Sequence, residues 1–190
     1  MTTAWRLGTL RIGPPRSVAP VVKLGGSLLG IHGWPALVGD LVAGLPGAVL
    51  VVGGGSLVDG LRRIDEAAPR PPRLMHDLAI DALALTARIV ADALALPVVT
   101  EAGGGGVLDP ARWLEATGHA ARLEAGWHVT SDSIAAVVAT ATGRGLLLAK
   151  RVPPPGEATD LERLAAAGWV DPCFPGAAAE VTAIAWAAPA

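Results

Sequence analysis

The sequence predicts an α/β protein in which a mostly parallel central sheet lies between two layers of helices. Short apolar runs rich in β-branched residues, such as residues 48–52, are typical of strands that are buried on both faces. These runs alternate along the chain with longer stretches in which apolar residues recur at helical spacing. Because such alternation places helices on both faces of a parallel sheet, we expect a three-layer αβα sandwich.

Length and composition restrict the class of protein further. The 190 residues are enough for one sizeable core, so residues 1–190 are predicted to form a single domain. The mean hydropathy is +0.48, but the apolar runs are shorter than the ~20 residues that span a bilayer, and no signal peptide is expected. A net charge of −2 argues against a nucleic-acid partner, and the single cysteine, Cys173, is typical of the reducing cytoplasm.

Residues at the ends of the predicted helices and strands indicate where these elements begin and end. Pro35 suits the first turn of a helix, and Asp109 is the expected N-cap of a short helix that Pro110 begins. Clusters of glycine and proline separate the elements. In chain order, we predict a loose, extended arm (1–17), a strand (20–23), a helix (35–45), a strand (48–52), a helix (57–68), a long helix (74–96), a strand (98–101), a flexible loop (103–106), a helix (109–117), a helix (131–142), a strand that leads into a charged loop (145–152), a short helix (160–168) and a last strand (181–186).

The longest helix, residues 74–96, is predicted to bury one apolar stripe along its length. The stripe is formed by Leu78, Leu85, Ile89 and Leu96, with charged residues between them. We therefore expect this face of the helix to pack against the sheet.

A lysine and a glycine turn follow the first predicted strand. The strand ends at Lys23, and Gly25, Gly26 and Ser27 come directly after it. Adjacent glycines allow backbone N–H groups to point into one concavity, and such a nest beside an ammonium group suits an oligophosphate. The pattern is not a P-loop, because the lysine precedes the glycines. An ordinary glycine turn with a surface lysine is the alternative.

The strand of residues 48–52 ends in the same way, at Gly53, Gly54 and Gly55. The helix that opens directly after this loop offers unpaired N–H groups and the positive end of its dipole. Two facing nests could hold both ends of a phosphoryl group during its transfer. A dinucleotide-binding oxidoreductase is a less favoured reading, because the G-x-G-x-x-G spacing is absent.

Together the two loops resemble the amino acid kinase superfamily, which includes acetylglutamate, aspartate and uridylate kinases. The resemblance covers residues 21–150 and rests on Lys23-Leu24-Gly25-Gly26-Ser27 followed by Val52-Gly53-Gly54-Gly55. It implies an amino acid kinase-like fold with an acceptor and phosphate half over residues 18–126 and a nucleotide half over residues 127–190. It also implies a kinase that uses ATP and Mg²⁺ and in which Lys23 is catalytic.

Three polar residues at the start of the helix 131–142 are further candidates for the site. By position alone, Ser131 and Asp132 could be helix caps. The resemblance implies instead that Asp132 is catalytic: it would lie between the phosphate-binding lysines, hold Lys23 charged and organise Mg²⁺ through water. Thr130 and Ser131 would then contact the phosphates of the nucleotide.

Residues 127–135 and 75–80 are similar to one subgroup of that superfamily, the kinase of methanofuran biosynthesis. This resemblance implies an acceptor that carries both a phosphate and an amine. Asp59, His76 and Asp77 are the predicted acceptor-binding residues, although a histidine on a helix is more often a packed or half-exposed side chain. The four histidines lack the spacing of metal ligands, so no protein-bound metal is expected.

The C-terminal part departs from the superfamily pattern. The strand within residues 145–152 leads into a charged loop at Lys150, which is predicted to bind nucleotide, but Pro153-Pro154-Pro155-Gly156 replaces the acidic turn expected there. The nucleotide half is therefore predicted to be shortened. The sequence favours a cytoplasmic, homo-oligomeric, ATP-dependent kinase whose small-molecule acceptor is a phosphate or a carboxylate. A non-catalytic subunit that binds a nucleotide or an anion is the alternative.

Overall fold

The computed structural model describes residues 5–13, 18–156 and 160–190, and it contains one seven-stranded sheet within them. The strands are β1 (Trp5–Arg11), β2 (Val21–Leu24), β3 (Val49–Val52), β4 (Val98–Val99), β5 (Gly106–Leu108), β6 (Leu146–Ala149) and β7 (Ile184–Pro189). The α-helices are α1 (Trp34–Ala43), α2 (Gly55–Ala67), α3 (Pro72–Ala93), α4 (Pro110–Thr117), α5 (Ser131–Thr142), α6 (Leu161–Ala166) and α7 (Phe174–Ala177). Two 3₁₀ turns cover Gly26–Gly30 and His119–Arg122.

The strands lie in the order β1-β7-β6-β2-β3-β5-β4, and every neighbouring pair is parallel except β1 with β7. β2 lies between β3 and β6, and Lys23 is in register with Val51 on one side and Leu148 on the other. The carboxyl ends of these three strands therefore meet at one edge, where ligands bind in open α/β sheets. The predicted mostly parallel sheet is confirmed.

Alternate residues of β2 enter two different hydrophobic cores. Val21 joins the core on the side of α5, whereas Val22 and Leu24 join the core that includes α1 and the C-terminal half of α3. Strands that are buried on both faces are mostly apolar, which explains the unbroken apolar runs of β3 and β6. Lys23 is the charged exception in β2. Helices cover both faces of the sheet, so the predicted three-layer sandwich is confirmed.

The N-terminal segment is not a loose arm where the structure describes it. Residues 5–11 form β1, which pairs antiparallel with β7 at the other end of the chain. The Arg11 guanidinium also donates to the carbonyl oxygen of Ala178, at 2.6 Å. The prediction of a loose arm is therefore wrong for this strand, because its pairing partner is too far away in sequence to leave a local pattern. Residues 1–4 and 14–17 of the predicted arm lie outside the described residues.

α3 buries a different stripe from the predicted one. The side chains of Leu78, Leu85 and Ile89 are 36, 50 and 53% exposed, and Leu96 follows the end of the helix. The buried face is formed by Met75, His76, Ile80, Leu83, Ala87 and Val90. α3 is apolar on two faces, so helical spacing does not tell which face packs against the sheet. Neither α3 nor any other helix among the described residues is long and apolar enough to cross a membrane.

A strand that the sequence does not predict begins within the glycine-rich residues 103–106. A flexible loop is predicted there, but Gly106 begins β5 and pairs with Val49 of β3. Gly106 has a φ of +143°, a conformation that residues with a side chain rarely adopt, and a Cβ there would lie 2.8 Å from the carbonyl oxygen of Pro97. Glycine is therefore required by the start of this strand.

Candidate active site

Two glycine loops, residues 25–27 and 53–55, lie side by side at the carboxyl ends of β2 and β3. Gly53 donates its backbone N–H to the carbonyl oxygen of Leu24, at 2.8 Å. A Cβ on Gly26 would overlap the backbone nitrogen of Gly55, and a Cβ on Gly53 would lie 2.6 Å from the backbone nitrogen of Gly26. The glycines are thus required by the close contact of the loops with each other, a reason that the sequence alone does not reveal.

The loops are joined to the neighbouring elements on both sides. Gly25 donates its backbone N–H to the carbonyl oxygen of Ala149 at the end of β6, at 2.8 Å. α2 begins at Gly55, so its first N–H groups have no partners within the helix. The N–H groups of Gly25 and Gly53 are thus bound within the protein, so the prediction that these two N–H groups bind phosphate is wrong. The two glycine loops themselves lie where β2, β3 and β6 end together.

The sequence contains two lysines, Lys23 and Lys150, and both bind the same carboxylate. Nζ of Lys23 lies 2.8 Å from Oδ1 of Asp132, and Nζ of Lys150 lies 2.8 Å from Oδ2 of Asp132. The side chains of Lys23, Lys150 and Asp132 are only 7, 13 and 6% exposed. Two ammonium groups share one carboxylate, so this lysine–aspartate cluster leaves an excess positive charge buried at the carboxyl edge of the sheet.

Burial and neighbouring charges shift the pKa values of the lysine–aspartate cluster. Burial, followed by the ammonium group of Lys23, lowers the pKa of Lys150 to about 8. Burial alone would raise the pKa of Asp132, but the two ammonium groups outweigh it and hold that pKa below its ordinary value. Asp132 is therefore a carboxylate at neutral pH, and Lys150 is a cation that loses its proton a little above neutral pH.

Lys150 is also held by the segment between α6 and α7. Its Nζ donates to the backbone carbonyl oxygen of Trp169 and lies 4.8 Å from the centroid of the Trp169 ring. These contacts offset part of the cost of burying the ammonium group. Trp169 carries no local sequence signal for this role, since the contact joins residues 19 positions apart.

Thr130, rather than Ser131 or Asp132, is the N-cap of α5. Its hydroxyl oxygen accepts a hydrogen bond from the backbone N–H of Asp132, at 3.3 Å. The Asp132 side chain binds the lysines instead, so the alternative interpretation of Asp132 as a helix cap is wrong. Ser131 is buried, and a Cβ on Gly53 would lie 3.0 Å from its hydroxyl oxygen.

Asp171 is a further polar residue of the site, and local sequence patterns do not single it out. Its carboxylate accepts hydrogen bonds from the hydroxyl groups of Thr130 and Ser133, at 2.8 and 2.5 Å. A buried carboxylate must find donors. The presence of one aspartate in the otherwise apolar run 169–174 is therefore the signal that could have indicated it.

A cavity of about 450 Å³ opens beside the glycine loops, within the size range of small-molecule sites. Its lining consists of loop residues, an apolar wall and a few polar or aromatic side chains. The residues of the loops and of the helix starts that follow them are Gly26, Ser27, Gly30, Gly53, Gly54, Gly55, Ser56, Thr130 and Ser131. The apolar wall comprises Val58, Ala79, Ile80, Leu83, Val129 and Ile134. The polar and aromatic group comprises Asp59, Arg62, His76, Trp127 and Arg151.

No family model and no curated protein matches this sequence. The structure is similar to the crystal structure of uridylate kinase from Archaeoglobus fulgidus, with a TM-score of 0.60 over 90% of this chain and 91% of that chain. The chain has an amino acid kinase-like fold. The sequence identity over the aligned region is 17%, so the similarity establishes the fold and leaves the chemistry to be argued from the site.

Asp59 and Arg62 of α2 line the cavity together. Nη1 of Arg62 lies 3.2 Å from Oδ1 of Asp59, and its guanidinium carbon lies 5.3 Å from the centroid of the Trp127 ring. The indole N–H of Trp127 donates in turn to the carboxylate of Asp65, at 2.7 Å. Arg62 thus lines the cavity and pairs with a carboxylate of the same wall.

The other two predicted acceptor-binding residues are separated by the helix that carries them. His76 is buried and lines the cavity, and burial lowers its pKa, so its imidazole is neutral at pH 7. Its Nδ1 lies 3.4 Å from both the backbone nitrogen and the carbonyl oxygen of Gly126. Asp77 does not line this cavity, and its half-exposed carboxylate pairs with Arg73 at 2.9 Å.

The donor set of the site suits a phosphate better than a protein-bound metal ion. Within the described part of the chain, no group of three or more acidic, histidine or cysteine side chains is arranged so that it could hold a metal ion. Both oxygens of Asp132 bind lysines, so Asp132 fits a place beside a metal ion rather than among its ligands. An Mg²⁺ ion at this site would be held by the phosphates of a nucleotide and by water.

Proposed function

We propose that this protein is a kinase that transfers the γ-phosphoryl group of ATP to a phosphate or carboxylate group of a small molecule. The observation that carries the proposal is the sharing of Asp132 by Lys23 and Lys150, each 2.8 Å away, beside the paired glycine loops. Phosphoryl transfer asks little covalent chemistry of a protein and depends on positioning and on the neutralisation of negative charge. The lysine–aspartate cluster and the loop N–H groups can supply both.

In the proposed reaction, an acceptor oxygen forms a bond to the γ-phosphorus while the bond from that phosphorus to the β,γ-bridging oxygen breaks. The products are ADP and the phosphorylated acceptor. Lys23 and Lys150 neutralise charge on the transferred group, and Asp132 keeps both ammonium groups in place. Backbone N–H groups of the glycine loops other than those of Gly25 and Gly53, which donate to backbone carbonyl oxygens, bind phosphate oxygens. Mg²⁺ bound to the nucleotide would add further positive charge.

For the acceptor, the cavity beside the glycine loops favours a molecule with an amine, an apolar body and a phosphate. Asp59 and Arg62 bring opposite charges to one wall, and His76 can form one hydrogen bond as a neutral imidazole. The apolar wall suits a ring system. These features support the acceptor class implied by the resemblance to the kinase of methanofuran biosynthesis, a phosphorylated aminomethylfuran.

A non-catalytic nucleotide- or anion-binding subunit is the second candidate, and one observation favours it. Lys23, Asp132 and Lys150 are not among the residues that line the cavity, and Trp169 stacks on Lys150. An ATP molecule would then bind at the loops without reaching the buried ammonium groups.

The proposed function is tested with purified protein, ATP and Mg²⁺, and three kinds of acceptor: phosphorylated amines, plain carboxylates and nucleoside monophosphates. We expect acceptor-dependent formation of ADP, with the phosphorylated product identified by ³¹P NMR. Preference for uridine monophosphate or an amino acid would reject the phosphorylated amine but keep the kinase. Tight binding of ATP without turnover would favour the binding subunit.

Lys23→Ala is the matched variant for this test. Turnover should fall at least about a hundredfold, because a preorganised charge is lost. The fold should persist, since Lys150 still pairs with Asp132. Arg163→Ala removes an equally charged but 82% exposed side chain and serves as the control. Near-normal turnover of Lys23→Ala would contradict the assignment.

We also propose that two copies of the chain associate through the exposed stripe of α3. Asp81 and Arg88 are exposed on either side of Leu85, so an antiparallel pairing about Leu85 would bring Asp81 of each copy near Arg88 of the other. Sedimentation equilibrium should show a dimer that Leu85→Glu dissociates and that Ile12→Glu, at an 89% exposed position, leaves intact. A wild-type monomer would reject this interface.

A further inference from the structure

We propose that Asp171 is a positioning residue that fixes the turn carrying Asp132 and so keeps that carboxylate between the two lysines. Asp171 lies between α6 and α7 and is 5% exposed. The kinetic consequence of the proposal rests on the proposed kinase function, whereas its geometric consequence does not. An experiment can therefore contradict the kinetic consequence while the geometric consequence is confirmed.

Both oxygens of Asp171 are filled by hydrogen-bond donors. Oδ2 accepts from the backbone N–H of Thr130 (2.9 Å), the hydroxyl of Thr130 (2.8 Å) and the backbone N–H of Ser133 (3.0 Å). Oδ1 accepts from the hydroxyl of Ser133 (2.5 Å) and the backbone N–H of Cys173 (3.0 Å). Thr130 and Ser133 lie on either side of Asp132, so the backbone of Asp132 is fixed from outside its own helix.

The same short segment also holds the lysine partner of Asp132. The carbonyl oxygen of Trp169 accepts a hydrogen bond from Nζ of Lys150, and Asp171 follows two residues later. Residues 169–171 therefore bind Lys150 directly and bind Thr130 and Ser133 on either side of its partner Asp132. The charged atoms of Lys150 and Asp132 are 2.8 Å apart. A shift of this segment would move the two charges relative to each other.

The donor pattern requires a carboxylate rather than an amide at position 171. An asparagine has one acceptor oxygen, and its amide group is a donor. If the amide replaced Oδ2, it would face two backbone N–H groups, those of Thr130 and Ser133; if it replaced Oδ1, it would face the N–H of Cys173. Either orientation leaves a buried donor unpaired, so Asp171→Asn should loosen the turn while changing little volume.

A remote helix cap is the simpler role for Asp171. A carboxylate at the start of α5 satisfies unpaired N–H groups and interacts favourably with the helix dipole. Capping explains the contacts with Thr130 and Ser133, but it does not require that the same segment bind Lys150. The two roles predict different results for the lysine ammonium groups and for turnover.

The geometric consequence is tested by NMR on protein labelled with ¹⁵N-lysine, which gives only two side-chain ammonium signals because the chain has two lysines. Ion-paired and buried ammonium protons exchange slowly, so both signals should be visible in the wild type. In Asp171→Asn, we expect the Lys150 signal to broaden and its titration to move to lower pH. Lys150 faces Asp132, Lys23 and Asp171, and a negative charge that favours its protonated form is lost.

Asp160→Asn is the matched control, because Asp160 caps the N-terminus of α6 through the N–H of Glu162 at 2.9 Å. It makes the same chemical change at a helix cap of the neighbouring helix, and its signals should match the wild type. The loss of a nearby negative charge moves the titration in either role, so the width of the signal decides between them. A Lys150 signal in Asp171→Asn as sharp as that in Asp160→Asn would reduce Asp171 to a cap and overturn the proposal.

The kinetic consequence is a fall in kcat of about 10- to 100-fold in Asp171→Asn, with the KM for ATP changed much less, because misplacement of a catalytic charge acts on the chemical step. If the wild type shows no turnover but the NMR result holds, the kinase function fails and the positioning role stands. Wild-type kcat in Asp171→Asn would overturn the positioning role.

Ser133→Ala keeps the proposal testable if Asp171→Asn does not fold. It removes only the hydroxyl that donates to Oδ1 of Asp171. A smaller loss of kcat and a smaller broadening of the Lys150 signal are expected in the same direction. Wild-type behaviour of a folded Ser133→Ala protein in both measurements would count against the proposal.

Discussion

The two parts of the site are held together by different kinds of contact. The glycine loops approach each other so closely that a side chain on Gly26 or Gly53 would not fit. The lysine–aspartate cluster is held by buried charges and side-chain hydrogen bonds from distant parts of the chain. Steric contacts depend little on pH, whereas paired charges depend on which groups are ionised. Substitutions that add a side chain to the loops should therefore destabilise them. Substitutions that change the net charge of the cluster should destabilise the cluster.

Asp132→Asn is expected to have the largest effect and to show whether the cluster is electrostatic. It removes the one carboxylate that two buried ammonium groups share, and breaking a buried ion pair in this way costs about 3–5 kcal/mol of stability. Turnover should fall at least about a hundredfold. Thermal unfolding and steady-state kinetics on one preparation measure both effects.

The pH dependence of this variant separates charge from shape. Its stability loss should shrink as pH rises, because Lys150 can then give up its proton and the excess charge disappears. A loss of stability that is the same at pH 7 and pH 9 would mean that Asp132 acts by packing. The cluster would then depend on steric contacts, as the glycine loops do.

Gly26→Ala tests whether the glycine loops are held by close steric contact. Its effect on the free energy of unfolding should be smaller than that of Asp132→Asn. The added methyl group overlaps the backbone of Gly55, and overpacking of this kind costs about 1–3 kcal/mol. The loss of unfolding free energy, measured in urea, should be the same across pH. Gly30→Ala is the control, because Gly30 lines the same cavity and a Cβ there meets nothing within 4 Å. Equal losses for the two variants would contradict the steric explanation.

The ionisation of Lys150 gives the smallest expected effect on stability. Its pKa is about 8 in the folded protein and about 10.4 in the unfolded chain, so between these values the unfolded chain binds the proton more strongly. This group therefore makes the unfolding free energy rise with pH, by about 1 kcal/mol between pH 8 and pH 9. Turnover should fall over the same range, because the ammonium charge is lost.

Lys150→Met supplies the reference for this measurement, since it removes the titrating group and keeps an unbranched side chain. Urea unfolding of both proteins at pH 7.5, 8.5 and 9.5 gives the difference in slope. A wild-type slope no steeper than that of Lys150→Met would show that Lys150 titrates normally in the folded protein.

The strands of the N-terminal half and the glycine loops that follow them could be predicted from the sequence, because their conformations depend on residues that are neighbours in the chain. β2 and β3 are short apolar runs that end in glycine, and the spacing of apolar residues marks α1 and α2. The capping of α4 by Asp109 follows from residues three positions apart, and the structure confirms it with a hydrogen bond of 3.1 Å from the N–H of Arg112. Local interactions of this kind form whatever the rest of the fold is, so the sequence predicts them.

Other features depend on contacts that no local pattern encodes. The sequence does not show which apolar face of α3 is buried, because both faces have helical spacing and only the packing of the sheet selects one. It does not show that β1 pairs with β7, since the two strands lie at opposite ends of the chain.

The sequence by itself determined the alternation of strands and helices, the two glycine loops and the presence of Lys23 and Asp132 at the ends of predicted elements. Only the tertiary structure decided that Lys150 is the second partner of Asp132 and that Asp171 accepts hydrogen bonds from Thr130 and Ser133, on either side of Asp132. The physical reason is that a buried charge is stabilised by whatever donors and counter-charges the fold brings to it. Those of this site join residues that are 18 (Lys150 and Asp132), 41 (Asp171 and Thr130) and 132 − 23 = 109 (Lys23 and Asp132) positions apart in the chain.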